Sequence, residues 1–565
     1  MSIRVTVTTG PKRKGSTFMV SVPSQRDRLD PSTLNDMQDE QTISRRHLVA
    51  ASAGLAVAPI LIGTATASAQ AATPEASAAA SPTAQPVSGG RLRFAVQGDP
   101  SELDPALTNL AAAGLVIDLM YEGLTHEGAD LSIGPALAES WMVSDDQLTY
   151  TFALRQGVTF HNGRAFVAKD VAYTFERIQN PDTASPWATS LAGVSAIETP
   201  DDGTVVLTLK TPDASFLARL AGRGLVIVPQ EEVEKNGDLL NTAVGTGPFT
   251  FKDYVPGSTL TLDRNGSYWD PGKPYLDGID IVIASDDTQR AAALISGTVD
   301  LAEQVGQKDI TLIQAESDLR LDGGATTNLR WLVFNLRREP FDKPEFRQAV
   351  FKAIDRSPII DAAVFGYGQP LVGLYPENFW AGYHGEIPAQ DLDGAKALLA
   401  QVTLPNGFRP KILTWSQYKF LSDTSVVVQE QLKQIGIESE IDPQENAIYL
   451  EQYFGGEFDI AIMGAAGYVD PNDWPEQSLK TGSVNNAAGY SNPDFDQLIE
   501  EGLATTDQTE RAPIYQQLQE VLIADSPWIN LYTSESFVGL RSSVQGFTRY
   551  VSGSFVSLRE TWLAS

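Results

Sequence analysis

The residues best able to do chemistry in this sequence are few. Of the four histidines, His47, His126, His161 and His384, no two have the i, i+4 spacing that puts two ligands on one helical face. Neither H-E-x-x-H nor G-x-S-x-G occurs. A metallohydrolase or a serine hydrolase is therefore disfavoured, and each histidine reads best as a turn or surface residue. Gly245-Thr246-Gly247-Pro248 looks like the start of a phosphate loop, but it lacks the following Gly-Lys-Ser/Thr, and Pro248 has no N–H to offer a phosphate. A chain reversal or an interlobe hinge fits it better. Zero cysteines exclude disulfides, thiol nucleophiles and thiolate zinc sites.

Carboxylates are so abundant that a chance pair is expected, which leaves a glycosidase-type acid/base reading with little weight. Asp470 with Asp473 is the least implausible pair. Both stand in MGAAGYVDPNDW, Met463 to Trp474, a stretch built mainly from small residues. Such residues let a backbone approach a ligand, Tyr468 offers a ring with a polar tip, and Asp470 offers an acceptor; the same stretch also reads as a tight loop turning at Asp470-Pro471. Tyr121, Trp331, Trp380, Trp415, Tyr468 and Trp474 lie in or beside Gly/Pro/Asn-rich segments rather than in apolar stripes. Aromatics so placed pack as anchors or, gathered in one cleft, stack on sugars or sandwich peptide side chains.

Hydrophobic periodicity says which elements hold these residues. Arg91 to Val96 and Thr149 to Arg155 alternate as strands, and Val171, Phe175 and Ile178 mark a helix from Ala168. Val205, Leu207 and Leu209, then Leu260 with Leu262, then Ile279, Ile281 and Ile283, mark further strands. Between Lys411 and Met463 the patterns alternate: KILTW as strand, a helical stripe Val428, Leu432, Ile435 stopping at Gly436, GIESEI as strand, AIYLEQYFGG as helix and FDIAIM as strand. That β-α-β-α-β order predicts an α/β parallel sheet with ligands beyond the carboxyl ends of its strands. Trp415 and the stretch from Gly464 to Trp474 then face one cleft.

At 565 residues the chain is too long for one core and should divide into two or three lobes. Ser44-Arg45-Arg46-His47-Leu48 opens an uncharged run to Gln70 containing LVAASAGLAVAPILIG and small-residue sites such as Ala67-Ser68-Ala69. These are the parts of an export signal, and the paired arginines resemble a twin-arginine signal; a retained anchor is the alternative, but the apolar centre is short and alanine-rich for one. Of the 41 basic and 71 acidic residues, 8 and 5 fall within residues 1–69, leaving 33 and 66 and a net charge of −33. Such a polyanion is repelled by nucleic acid and anionic lipid. The stretch QAATPEASAAASPTAQPVSGG, to Gly90, reads as a flexible tether.

The order of motifs from Arg91 to about Leu563 resembles the extracytoplasmic solute-binding proteins of ABC importers in family 5, which contains dipeptide, oligopeptide and nickel binders. The likeness is carried by LDP at Leu103, YEGLT at Tyr121, the long run from Pro135 to Ile178, VGTGPF at Val244, FNLRREPFDKPEFRQAVFKAIDR at Phe334 and YSNPDFDQLI at Tyr490. The resemblance implies an α/β, two-lobed periplasmic-binding-protein fold of type II, in the large variant with an extra inserted domain and a ligand cleft between the lobes. It also implies hinge closure over a ligand, delivery to ABC permease membrane subunits, and no catalytic residues. In peptide-binding members the loop matching GAAGYVDP looks like W-x-x-D-x-x-D/E-P, and its first acidic residue pairs with the peptide amine. Here that position is Gly467, while Asp470-Pro471 is kept.

The expectations are these. Residues 1–69 are the export signal and 70–90 a disordered linker; 91–124 with 245–328 and 535–565 form lobe I, 125–244 an inserted smaller domain, and 329–534 lobe II. The protein is an exported, monomeric binding protein without cofactor or metal. Its ligand is an uncharged or weakly charged solute such as an oligosaccharide, contacted by Tyr121, Trp331, Trp380, Trp415, Tyr468, Asn485 and Asn486. A peptide-binding protein or chaperone, and a secreted glycoside hydrolase, are the alternatives.

Overall fold

The computed structural model describes residues 85–240, 242–377, 379–465 and 470–564; the export signal and most of the linker lie outside them. Among the described residues regular structure begins at Arg91, as the alternation predicts. The strand Arg91–Val96 runs parallel to Gly278–Ile283 and to Leu301–Ala302, and Thr259–Arg264 and Phe249–Val255 extend the sheet antiparallel. Leu92, Phe94, Leu260, Leu262, Ile279 and Ile281, the inward half of each alternation, are buried in one core. A four-stranded antiparallel sheet, ordered Ala138–Val143, Thr149–Leu154, Thr204–Leu209, Val194–Asp201, packs with the helix Ala168–Gln179 around a separate core that includes Tyr150, Phe152, Val171, Phe175 and Ile178.

The alternation from Lys411 onward folds as read. Lys411–Trp415 lies parallel to Glu440–Gln444 on one side and to Ile460–Ala465 on the other, with the helices Lys419–Gln434 and Asn446–Gly455 as crossovers. The middle strand starts later than GIESEI suggests. Gly436 takes φ +87° and the Ile437 N–H returns to the Leu432 carbonyl at 3.0 Å, so the helix closure uses up the first residues of the stretch. Pro443 is tolerated there because the strand is at the edge of the sheet.

Two long strands, Leu319–Phe334 and Trp528–Arg541, join the halves into one eleven-stranded sheet. They pair antiparallel from Leu319↔Arg541 to Ala325↔Glu535, lose register, resume at Leu329↔Thr533 and Arg330↔Tyr532, and shift once more before Trp331↔Asn530 to Val333↔Trp528. Gly323 and Gly324 beside the break take φ +146° and +141°. A Cβ on Gly323 would fall 2.2 Å from the Ser536 carbonyl, so this close approach requires glycine. Past the break, residues of the second half fill the two faces of the sheet with separate apolar clusters.

Candidate functional site

Ligands of such sheets lie beyond the carboxyl ends of the parallel strands, here Trp415, Gln444 and Ala465. Trp415 is half-buried, stacked on Tyr449 at 4.8 Å and 13° and edge-on to Tyr418 at 4.9 Å. Its indole N–H is buried without an acceptor among the described residues. Trp331 is 1% exposed; it stacks on Trp528 at 4.6 Å and meets Trp474 edge-on at 5.8 Å. Among the described residues the Nε1 atoms of Trp474 and Trp528 are also buried without acceptors, while the Trp331 side chain hydrogen-bonds with Tyr453. Buried indole donors are ordinarily paired, so this aromatic layer is unusually rich in unmet donors.

The other expected residues separate. Trp380 lies with Tyr515, ring centroids 5.8 Å apart, and the Arg511 guanidinium is 5.3 Å from its ring. Asn485 is exposed and its carbonyl accepts from the Ala487 N–H. Asn486 is buried and turned inward: its amide donates to the Tyr490 carbonyl at 2.7 Å and the Lys480 carbonyl at 3.2 Å, and its Oδ1 accepts from the Tyr490 N–H at 3.0 Å. Tyr121 belongs to the first lobe's core, its hydroxyl donating to the Leu103 carbonyl at 3.2 Å, and burial pushes its pKa up. Tyr468 lies outside the described residues. The second-lobe sheet thus buries Trp331 in one apolar cluster, with Trp380 and Trp415 both packed at its border.

Asp470 is occupied by the protein itself. Arg511 grips both of its oxygens at 2.9 Å, Ser215 Oγ donates to Oδ1 at 2.8 Å, and the Asn472 N–H donates to Oδ1 at 2.9 Å. Both partners of the ion pair are nearly solvent-free. A carboxylate so saturated is neither a general acid or base nor a free anchor for a ligand ammonium. Ser215, together with the Ala214 N–H on the Leu503 carbonyl at 2.9 Å, also ties the small antiparallel unit to the second half.

The loop Gly245–Pro248 is a packed reversal. The Gly247 N–H donates to the Met120 carbonyl at 3.0 Å, and a Cβ on Gly245 would fall 2.2 Å from that oxygen. His161 clamps the loop, Nε2 lying 3.0 Å from the Gly247 carbonyl and Nδ1 accepting from the Gly245 N–H at 3.3 Å. Burial pushes its pKa down to about 4, so it is neutral at physiological pH. Among the described residues no group of three His, Cys, Asp or Glu is placed to hold a metal.

A cavity of about 440 Å³ lies wholly within the first half of the fold and its C-terminal segment, walled in part by Tyr121, Glu127, Trp187, Arg223 and Ser552. Arg223 is paired with Asp118 at 2.8 Å, while Glu127 Oε1 is buried without a partner and burial raises its carboxyl to about 7.

One residue of the second lobe was not anticipated. Arg330, between Leu329 and Trp331, is in register with Gly464 at the carboxyl end of the strand Ile460–Ala465. It is a charge within TTNLRWLVF, an otherwise uncharged run that crosses between the lobes, and that interruption is the signal by which sequence reasoning could have found it.

The comparisons agree with this architecture. Residues 132–487 match the family model for bacterial extracellular solute-binding proteins, family 5. The di/tripeptide-binding protein 1 of Pseudomonas aeruginosa is 31% identical over 493 residues, covering 81% of this chain and 91% of the relative. Heme-binding protein A of Haemophilus influenzae is 31% identical over 453 residues, 74% of this chain and 82% of the relative. Among solved structures, AgaA of A. tumefacien R10 in complex with agropinic acid is 34% identical with a TM-score of 0.71, covering 84% of this chain and 99% of that one. DppA of Helicobacter pylori in complex with the peptide STSA is 30% identical with a TM-score of 0.72, covering 85% and 99%. The chain belongs to the family 5 extracellular solute-binding proteins, the extracytoplasmic substrate-binding components of ABC importers.

Proposed function

We propose that this protein is exported, captures a small organic solute between its lobes by hinge closure, and presents it to an ABC permease, and that recognition does not rest on a ligand ammonium. The observation that carries the hinge is the pair of crossing strands, whose register breaks between Ala325 and Leu329 beside two glycines at positive φ. A two-strand ribbon interrupted there, and again between Arg330 and Trp331, concentrates bending in this short span. Tagging the two lobes with a fluorophore pair and adding ligand should raise transfer efficiency; a ligand that binds with no change in distance contradicts closure.

The ligand class follows from charges. A buried ammonium requires a carboxylate. The position that supplies it in peptide binders is Gly467, and the nearby Asp470 is consumed by Arg511 and Ser215. Relatives that bind di- or tripeptides, and the STSA complex, favour the alternative of a peptide ligand; the agropinic acid complex shows that a relative of similar identity binds something else. A thermal-shift screen of di- to tetrapeptides separates the readings: silence is expected, and a strong upward shift by free-amine peptides that is lost on N-acetylation overturns ours. For export, Arg45→Lys with Arg46→Lys should leave the precursor in the cytoplasm.

A further inference from the structure

The second lobe holds a cation without a counter-charge at the place where a ligand is expected. Arg330 stands two positions past the break in the crossing strands, opposite Gly464 on one side and Tyr532 on the other. Its stem lies over the empty side of Gly464, Cδ being 2.6 Å from where a Cβ would sit. Of its guanidinium nitrogens, Nη1 donates to the Leu329 carbonyl at 2.7 Å and the Ala465 carbonyl at 3.3 Å. Nε is buried without a partner, and no described carboxylate comes within 4.0 Å. Arg177, Arg223 and Arg511 each sit on an aspartate. Arg347 and Arg356, which have none, direct Nε to the carbonyls of Asp525, and of Leu371 and Asn530, respectively.

A second feature converges on the same spot. The Arg330 guanidinium lies 4.6 Å from the ring centroid of Phe420, in the first turn of the sixteen-residue helix Lys419–Gln434. That helix starts from Tyr418 with no side-chain cap and no acidic residue in its first turn, so its positive end is unopposed. Asp423, one turn on, is turned to Lys419 at 2.6 Å. Burial raises the pKa of the Tyr532 hydroxyl, which supplies no counter-charge, and burial holds the guanidinium below its ordinary pKa.

We infer that Arg330 and the N-terminus of the helix Lys419–Gln434 form an anion-binding end of the cleft, so that the transported solute bears a carboxylate. The inference rests on the solute-binding reading above and narrows its ligand class. A carboxylate forms strong charge-assisted hydrogen bonds with a guanidinium, and it would supply the counter-charge that the fold withholds.

The test uses the mature chain, stripped of ligand, in wild-type, Arg330→Gln and Gly464→Ala forms. The last leaves the charge in place but pushes a methyl against the arginine stem, guarding against a folding defect in the first. Small metabolites from a bacterial extract are divided by anion exchange into acidic and neutral pools. Agropinic acid and its methyl ester serve as a defined pair, and thermal shift is the readout. The expected result is stabilisation of the wild type by the acidic pool, or by agropinic acid over its ester, with at least a tenfold higher half-saturating concentration in both variants. Stabilisation by the neutral pool to the same extent in all three proteins overturns the anion site and leaves the solute-binding reading standing. No stabilisation by any pool overturns that reading, and the anion site with it.

Discussion

Arg511 and Arg330 belong to the same lobe, flank the same loop and carry the same charge, yet the fold treats them oppositely. Arg511 is closed on itself: two bonds to Asp470 at 2.9 Å, with Ser215 and the Asn472 N–H completing the carboxylate. Arg330 is held by carbonyls at one nitrogen and leaves Nε unmet. Burial of a charge is tolerable only when something compensates it. A compensated pair is therefore architecture, and an uncompensated cation at a cleft marks a place where a partner from outside completes the site. Proximity to a cleft does not separate the two; the state of their hydrogen bonds does.

The comparison can be broken in order of expected effect. Asp470→Ala strands Arg511 as an unpaired buried cation and should lower the unfolding free energy by about 3–5 kcal/mol in urea titration; a loss below about 1 kcal/mol would make the pair a surface-like one. Arg330→Met should show the opposite pattern: unchanged or higher stability of the ligand-free protein, but acid binding weakened about thirtyfold, roughly 2 kcal/mol by calorimetry. A large stability loss with intact binding would place Arg330 on the architectural side.

The neighbouring asparagines repeat the contrast on a smaller scale. Asn486→Ala removes the bonds that hold Tyr490 and Lys480 and should cost roughly 1–2 kcal/mol of stability. Asn485→Ala, at an exposed side chain, should stay within about 0.5 kcal/mol. In the first lobe, Glu127 is the acidic counterpart of Arg330. Its carboxyl is raised from 4.5 to about 7 by burial, so the folded state holds the proton longer than the unfolded chain does. Stability should then fall as pH climbs from about 4.5 to about 7 and level off above. Glu127→Gln should flatten that interval, and an identical pH profile would refute the assignment.

Legibility in the sequence followed periodicity. The β-α-β-α-β segment was readable because each element carries its own apolar repeat, and Gly436 marked the helix end where φ +87° is needed. The middle strand was misplaced by the residues that leave that helix, which pattern alone does not separate from strand. Trp331 reads as a loop aromatic because TTN precedes it; it lies instead in a strand paired on both sides, which explains its burial. Asn485 and Asn486 are indistinguishable by type, since only the fold decides which amide turns inward. Arg330 is not legible from periodicity, because a single charge in the run TTNLRWLVF does not reveal whether the fold supplies it a counter-charge.

The most direct test of the central claim, that a small solute is held between the lobes, is native mass spectrometry of the protein purified without refolding from cells grown in rich medium. The account predicts one non-covalent adduct of small-molecule mass, released by partial unfolding and absent from Arg330→Gln purified the same way. A bare chain in both preparations, with no adduct formed on incubation with either metabolite pool, would contradict it.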